Sequence, residues 1–218
     1  MSGLVTGSGR PQQPRAARTR LRILEAAAAA FAERGYEGVS LNELIRQSGL
    51  TKGAFYFHFA SRDELALAAF RHKQEQLVSQ IAESVDQQAP PLERLATLLR
   101  ERARLLEQDP TLFVVVRLGI ELTMRHGAGS EYASFSELPL ELFERIVREG
   151  QQRGELRQEL DPRRTAETIF AGILGIDQAA LLLPNELDIA KRTEWLLDLL
   201  VPGLLAGPQT STKRKETR

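Results

Sequence analysis

Two short capped helices joined by a tight turn are predicted between residues 40 and 60, and this spacing strongly restricts the fold. Ser40-Leu41-Asn42-Glu43 has the form of a capping box, in which a serine and a glutamate satisfy free amides at a helix start. Ser48-Gly49 ends that helix, and Thr51 caps the next one. The arrangement is that of a helix-turn-helix, whose second helix enters a DNA major groove, although the same layout also occurs in proteins that bind no DNA.

Helical periodicity continues through the rest of the chain, and no segment alternates as a half-buried strand would. Apolar residues recur at helical spacing from Arg15 to Arg34, and Gly35 ends this first helix. Ser61-Arg62-Asp63-Glu64 is a second capping box, and it begins a long helix that ends before Pro90. Five more helices are predicted over residues 91–108, 111–125, 135–153, 162–183 and 187–205. The sequence therefore predicts an all-α fold of about nine helices.

Composition divides the chain into four parts. Residues 1–14 are rich in Gly, Ser, Pro and Gln and are predicted to be a disordered arm. Residues 15–60 form the predicted helix-turn-helix DNA-binding domain. Residues 61–207 form a larger helical domain that we expect to bind an effector and to dimerise, and residues 208–218 form a basic flexible tail.

The net charge is zero, but the charges are distributed unevenly along the chain. Residues 1–60 carry eight basic and four acidic side chains, whereas residues 61–210 carry 17 basic and 24 acidic ones. A basic front end on an acidic body indicates that the front meets a polyanion and the body does not. Ordinary surface variation explains the charge pattern equally well when that pattern is taken alone.

Several classes of function find no support in the residues. The chain has no cysteine, and its only histidines, His58, His72 and His126, form no pattern typical of a metal site. It has no nucleophile elbow and no Gly-rich phosphate loop, so we expect neither an enzyme nor a cofactor. No uncharged apolar run approaches the ~18 residues of a membrane span, and the N-terminus lacks a signal peptide's apolar core. We expect a cytoplasmic protein that does not contact a membrane.

The stretch from Arg20 to Phe70 resembles the DNA-binding domain of the tetracycline-repressor (TetR) family. The matching residues are Phe31, Gly35-Tyr36, Ser40-Leu41, Leu44-Ile45, Ser48-Gly49, Lys52-Gly53, Tyr56-Phe57-His58-Phe59 and Leu65. The resemblance covers about a quarter of the chain. It implies an all-helical, homodimeric bacterial transcription regulator whose C-terminal domain binds a small effector.

Within Thr51 to Phe59, helical geometry separates structural from DNA-contacting side chains. Phe55 and Phe59 share one face, with Ala54 near it, and are predicted to pack on the first helix. Lys52 can meet a phosphate or a guanine edge at the exposed helix start. Phe57 faces either solvent, against a sugar, or the core.

The resemblance assigns Tyr56 and His58 to the DNA backbone, whereas Tyr56 alone would more often be a core residue with a satisfied hydroxyl. The arginines predicted to support the DNA contact could equally form a solvated charged face. The residues predicted to contact DNA are Ser40, Thr51, Lys52, Gly53, Tyr56, Phe57, His58, Arg18, Arg20 and Arg62.

The last two helices carry wide apolar faces with small residues that permit close approach, and the resemblance favours a four-helix dimer interface. Burial of these faces inside one chain is the alternative for some positions. The residues predicted at the interface are Ile169, Gly172, Ile173, Ile176, Ala180, Leu183, Trp195 and Leu199.

The middle helices are predicted to enclose a pocket for a moderately hydrophobic small molecule, because they present an apolar wall with a few polar groups. The candidate lining residues are Phe113, Arg117, Ile120, Met124, Phe135, Phe143, Phe170, Leu174 and Gln178. Arg117 lies one helical turn before Glu121, so an intrahelical ion pair is favoured over ligand anchoring. Most of these aromatic residues fit a plain core equally well.

The chain also resembles γ-butyrolactone autoregulator receptors at three places. These are YFHF in the second helix of the helix-turn-helix, GIDQAA in the penultimate helix, and the segment from Trp195 to Leu204. Such receptors usually have a tryptophan in the pocket helices, whereas Trp195 is the only one here. The expected partners are thus a DNA operator, a second copy of the chain and an apolar effector such as a γ-butyrolactone. The alternative is an effector-independent regulator that acts through a protein partner.

Overall fold

A computed structural model of the chain describes residues 12–127, 129–183 and 188–206, with side chains from residue 16 onward. The helices are α1 (Gln12–Arg34), α2 (Leu41–Ser48), α3 (Lys52–Tyr56), α4 (Arg62–Ser84), α5 (Pro91–Gln108), α6 (Phe113–His126), α7 (Ser134–Gln152), α8 (Pro162–Leu182) and α9 (Ile189–Leu204). In the described part of the chain the only β pairing is an isolated bridge between Leu156 and Leu205. The predicted all-α fold of about nine helices is confirmed.

Side-chain caps also fix the starts of two later helices. Asp161 accepts from the Arg164 amide ahead of α8, and Asp188 caps α9 in the same way. Differences occur at two helix starts: α1 begins at Gln12, inside the predicted arm, and a 3₁₀ turn precedes α6. Residues 1–11 of the arm and the predicted tail lie outside the described residues.

Contacts group the chain into two compact units, and the first combines Met1–Gln76 with Pro110–Ala133. Its core contains completely buried aromatic side chains, among them Phe31 and Phe70. α1 contacts both α2 and α6. The ring of Phe31 stacks on Tyr36 with the centroids 6.1 Å apart. The first unit therefore holds the helix-turn-helix together with a helix from much later in the chain.

The second unit combines Leu77–Asp109 with Ser134–Arg218. α5, α7, α8 and α9 surround a continuous apolar core. Gly150 on α7 is required by close packing, since a Cβ atom there would lie 2.6 Å from Leu156. The sequence-based boundary between residues 60 and 61 remains a prediction beside this division by contacts.

Candidate DNA-binding surface

The predicted caps of the helix-turn-helix are present and fix its two short helices. The Ser40 hydroxyl oxygen accepts from the Glu43 amide at 3.2 Å, and Thr51 Oγ1 accepts from the Ala54 amide at 3.2 Å. Between the helices, Gly49 has φ 67°, a left-handed conformation that glycine adopts without a steric cost. These local interactions set the start of α3 one residue after Thr51.

Two phenylalanines hold α3 to its unit. Phe55 and Phe59 are almost completely buried, with ring centroids 6.3 Å apart. The Arg20 guanidinium of α1 lies over the Phe59 ring, 4.9 Å from its centroid. The predicted burial of both rings is confirmed, and the exposed Arg20 lies beside this anchor on the DNA-binding unit.

The remaining side chains of this segment point away from the core. Lys52 and Tyr56 are exposed, and Phe57 is 79% exposed, which rules out its core alternative. His58 is half-buried, and its ring meets Phe57 edge-on at 5.2 Å. The expectation that Ala54 lies near the buried side is wrong, because Ala54 is exposed.

Arg62, which the sequence assigns to DNA contact, also has partners inside the unit. Its Nη1 donates to the Val39 carbonyl oxygen at 3.0 Å. The guanidinium also lies 4.0 Å from the Tyr36 ring centroid and 3.7 Å from a Glu37 carboxylate oxygen. These contacts stabilise the loop before α2, and the DNA contact of Arg62 stays a prediction. Arg18 is exposed on α1, as predicted.

α6 is bonded to the C-terminal end of α1, a junction that the sequence did not reveal. Arg117 donates to the carbonyl oxygens of Ala32, at 2.8 Å, and of Glu33. Glu121 accepts from the Tyr36 amide at 2.6 Å, and partial burial raises the pKa of its carboxyl. Two of the carbonyls in the last turn of α1 are thus satisfied by a side chain from α6.

The predicted effector residues of the first unit have mixed environments. Phe113 and Ile120 are half-buried. Met124 is 82% exposed, and its role in lining an effector site stays a prediction. Arg117 forms the predicted ion pair with Glu121 at 3.7 Å, but its closer bonds to α1 make it a helix-end contact rather than a free ligand anchor.

The predicted effector residues of the second unit include an aromatic pair. The rings of Phe135 and Phe170 lie 5.8 Å apart and are half-buried, as are Leu174 and Gln178. Phe143 is only 4% exposed and belongs to the apolar core, so it is corrected to a packing residue.

A buried ion pair in the second unit was missed by sequence reasoning. Arg102 on α5 donates from both Nη atoms to Asp177 on α8, with the Nη1–Oδ1 distance at 3.1 Å. Burial raises the pKa of the Asp177 carboxyl, against the opposing effect of Arg102. The motif GIDQAA contains this aspartate, but only the structure identifies its partner.

An open pocket of about 530 Å³ lies in the second unit, between the segment after α7 and the end of α9. Polar residues such as Arg157, Gln158 and Glu159 line it together with Pro202 and Leu205. None of the residues predicted to bind the effector lines this pocket. Among the described residues, no group of three or more His, Asp or Glu side chains is placed to hold a metal ion.

Sequence comparison places these features in a known family. Residues 23–69 match the profile described as bacterial regulatory proteins, tetR family. Residues 70–203, more than half of the chain, match the profile described as YsiA-like protein, C-terminal region. The chain belongs to the tetR family of bacterial regulatory proteins. TetR-family regulators bind DNA operators and small-molecule effectors, typically as dimers.

Individual relatives agree with this assignment. The chain is 25% identical over 187 residues to the fatty acid metabolism regulator protein of Bacillus subtilis (strain 168), covering 84% of this chain and 94% of that protein. It is 30% identical over 165 residues to the A-factor receptor protein of Streptomyces griseus, covering 76% of this chain and 56% of that protein. A solved γ-butyrolactone receptor (ArpA-like protein) is similar at 26% identity and a TM-score of 0.72, covering 88% and 90% of the two chains.

This TetR-family protein is a DNA-binding transcriptional repressor and not an enzyme. Its predicted dimer residues divide between core and surface. Ile169 and Ile173 are buried among core side chains, and a Cβ atom at Gly172 would lie 2.9 Å from Leu196 of the same chain. Ile169 and Ile173 are corrected to packing residues, because the inner face of α8 meets α9 of its own chain, whereas the half-buried Gly172 stays a predicted interface residue.

The remaining predicted interface residues of the TetR-family chain are accessible. Ile176 and Ala180 are half-buried, Leu183 and Trp195 are exposed, and Leu199 is 79% exposed. α8 is also long and apolar enough to cross a membrane by length and composition, a property it shares with core helices of soluble proteins. An apolar face that one chain leaves uncovered is equally what a subunit interface requires.

Proposed function

We propose that the regulator binds a near-palindromic operator as a dimer, with one α3 helix in the major groove of each half-site. The proposed contact residues are Ser40, Thr51, Lys52, Gly53, Tyr56, Phe57, His58, Arg18, Arg20 and Arg62. A dimer with two-fold symmetry presents two such helices to half-sites about one DNA turn apart. The excess positive charge of residues 1–60 supports attraction to the phosphate backbone.

The observation that carries the proposal is the asymmetry of α3. Phe55 and Phe59 hold one side of the segment in the core, and the other side is open to a partner. Gly53 has no atom within 4 Å of the position its Cβ would occupy, so a nucleic-acid backbone or base edge could approach closely. A segment held so firmly, with its outer side uncovered, suits insertion into a groove.

Selection from a random pool of double-stranded DNA tests the proposal. We expect the purified protein to enrich one near-palindromic sequence and to shift it in a gel as a single complex. Affinity should fall steeply as the salt concentration rises, since bound phosphates release counterions. Enrichment of no sequence, even at low salt, would contradict sequence-specific binding.

We further propose that the effector is a small molecule with an apolar chain and a polar head, such as a γ-butyrolactone. The half-buried pair of Phe135 and Phe170, with Leu174 and Gln178 on α8, supports this choice in the second unit. The open 530 Å³ pocket is a weaker candidate, because Arg157, Gln158 and Glu159 make its lining partly polar and it is open to solvent. Relatives named as an A-factor receptor and as a fatty acid metabolism regulator are consistent with apolar ligands.

Release of the operator by added ligand tests the effector proposal. A γ-butyrolactone and a fatty acid of equal chain length are titrated separately into the protein–operator complex. The effector lowers operator affinity because it binds the DNA-free conformation more tightly. Phe170→Ala should weaken release by the active compound and leave operator binding intact, whereas Leu138→Ala, on exposed α7 surface, should change neither.

The alternative is a repressor that responds to a protein partner and not to a small molecule. Native mass spectrometry of the purified protein distinguishes the two, since a co-purified small molecule favours the effector proposal. The proposed site of action is the cytoplasm, where the operator is located.

A further inference from the structure

The outer surface of α3 and of the turn that follows it is apolar at its centre and polar at its edges. This turn, residues 57–59, continues the helical path, because the Phe57 amide donates to the Gly53 carbonyl and the Phe59 amide to the Phe55 carbonyl. With 3.6 residues per turn, Phe57 lies opposite the midpoint between the buried Phe55 and Phe59. This position agrees with its 79% exposure. The exposed Gly53 and Ala54 lie beside it, one turn earlier along the chain. The most outward part of the helix therefore presents a phenyl ring, a methyl group and bare backbone.

Polar groups are confined to the two edges of this surface. Lys52 and Tyr56 are four residues apart and share one edge. His58 lies on the opposite edge, where its ring meets Phe57 edge-on at 5.2 Å and supports the orientation of the phenyl group. Thr51 Oγ1 is engaged as the helix cap. Lys52 is consequently the one long cationic side chain that α3 itself offers to a base edge.

The major groove contains one apolar group, which is the C5 methyl of thymine. Guanine instead presents the N7 and O6 acceptors, to which lysine donates. An apolar centre pressed against donors and acceptors would leave those groups without partners, and this is energetically unfavourable. The surface of α3 therefore matches a thymine methyl at its centre and a guanine or a phosphate at the Lys52 edge.

We infer that Phe57, assisted by Ala54, reads a thymine methyl in each operator half-site and is a specificity-determining residue. The inference rests on the proposed function, because it requires α3 to occupy the major groove. It gives Phe57 a role that a contact with the sugar-phosphate backbone would not, since a backbone contact carries no sequence information. The apolar contact excludes water from the methyl group and so distinguishes thymine from the other bases.

Replacement of thymine by deoxyuridine tests this inference, because the exchange removes only the methyl group. The operator is first selected from a random duplex pool, and each thymine of one half-site is then replaced singly. Affinities are measured by fluorescence anisotropy at one fixed salt concentration. Replacing the contacted thymine in one half-site should weaken binding about fourfold, which is the effect of burying a group of that size. Replacing it in both half-sites should weaken binding roughly 15-fold.

Variants of the protein identify the residue that contacts the thymine methyl group. Phe57→Ala should bind the thymine operator more weakly and bind the thymine and deoxyuridine operators equally. Phe57→Leu should retain part of the discrimination, because leucine keeps an apolar side chain. Val78→Ala, on the half-exposed surface of α4, is the matched control and should retain all of it. Thermal melts should be the same for all variants, since Phe57 and Val78 stabilise little.

Each outcome has a definite meaning. If no sequence is enriched, the proposed function itself fails. If an operator is bound specifically but every deoxyuridine replacement is neutral, the thymine inference is overturned and the function stands. If Phe57→Ala loses affinity yet keeps the full discrimination, another residue reads the methyl and the assignment to Phe57 is wrong. The wild-type measurement decides the first two cases even if a variant folds poorly.

Discussion

Neighbouring side chains in α3 and in the turn after it differ in burial. Within a few residues, the buried ones stabilise the fold and the exposed ones are available to contact DNA. Phe55 and Phe59 are buried, whereas Lys52, Tyr56 and Phe57 are exposed. Truncating a buried phenylalanine to alanine typically costs about 3–5 kcal/mol of unfolding free energy, a large part of a domain's stability. Loss of DNA binding after such a change would therefore report unfolding and not a lost contact.

Lys52→Ala is expected to weaken operator binding while leaving the free energy of unfolding unchanged, because the side chain is exposed. A lost phosphate contact reduces the slope of log affinity against log salt by about one. A lost guanine contact instead relaxes specificity at one base pair, by about 1–3 kcal/mol. Anisotropy titrations at several salt concentrations separate the two. Arg104→Ala, on exposed α5, controls for the loss of one positive charge, and unchanged affinity would remove Lys52 from the surface.

Arg102→Met is expected to lower the free energy of unfolding by about 3 kcal/mol, because it leaves the buried Asp177 carboxylate without its partner. Addition of Asp177→Leu should recover much of that loss. Urea unfolding of the two single variants, Arg102→Met and Asp177→Leu, and of the double variant measures the coupling between the two residues, and strictly additive effects would contradict it.

The Arg102→Met variant should also have a distinctive pH dependence. Without Arg102, burial holds the folded-state pKa of Asp177 above its ordinary value of 3.8. The folded state then binds more protons than the unfolded state as the pH rises from about 3.8 to the folded-state pKa. The free energy of unfolding of the variant consequently falls as the pH rises through that interval. The difference in unfolding free energy between the variant and the wild type should therefore shrink as the pH is lowered toward 4. A difference that is constant with pH would contradict the assignment.

Residue spacing predicted some of these roles and not others. Phe55 and Phe59 were predictable because a four-residue spacing on a short helix defines one face. The bonds of Arg62 and Arg117 were not, because their partners are backbone carbonyls of other elements. A long flexible side chain carries no sequence signal for the direction it takes.

At the scale of elements, the junction of α1 with α6 depends on Gly35. This residue has φ 71°, which disfavours any side chain, and an added methyl group would also collide with the Glu121 carboxylate. That carboxylate accepts from the Tyr36 amide at the start of the loop to α2. The geometry of the loop and the docking of α6 are therefore set at one position.

Gly35→Ala is expected to destabilise the protein by more than the roughly 1–2 kcal/mol of a left-handed alanine, because Glu121 must also move. Gly154→Ala is the matched control, since Gly154 has φ 73° and open space around its Cβ position. The difference between the two unfolding free energies isolates the contact with Glu121. Equal destabilisation of both variants would show that this contact contributes nothing.

The sequence predicted where the helices begin and end better than which helices meet. Caps such as Ser40, Thr51 and Asp161 act within a few residues, so they are visible locally. The association of α6 with α1 joins residues about 85 positions apart through side-chain to backbone bonds. Periodicity shows that a helix has an apolar face, but it does not specify which neighbour covers that face.

For the whole molecule, the exposed apolar residues of α8 and α9 make dimerisation testable. Leu199→Asp is expected to convert the dimer to monomers, because it places a charge in the uncovered apolar face. Light scattering coupled to gel filtration measures the mass, and operator affinity should fall in parallel. Leu138→Asp, at a half-exposed leucine of α7, is the control. A dimer that survives Leu199→Asp would place the interface elsewhere.

The first unit is assembled from two stretches of chain, Met1–Gln76 and Pro110–Ala133, with α5 between them in sequence. The DNA-binding unit is consequently not one continuous segment, so a single recombination crossover would not transfer all of it to another protein. A hybrid regulator that took only the first 60 residues from this chain would inherit α1 without its own Arg117 and Glu121. Protein engineers who exchange DNA-binding domains among such repressors should therefore transfer α6 together with the helix-turn-helix.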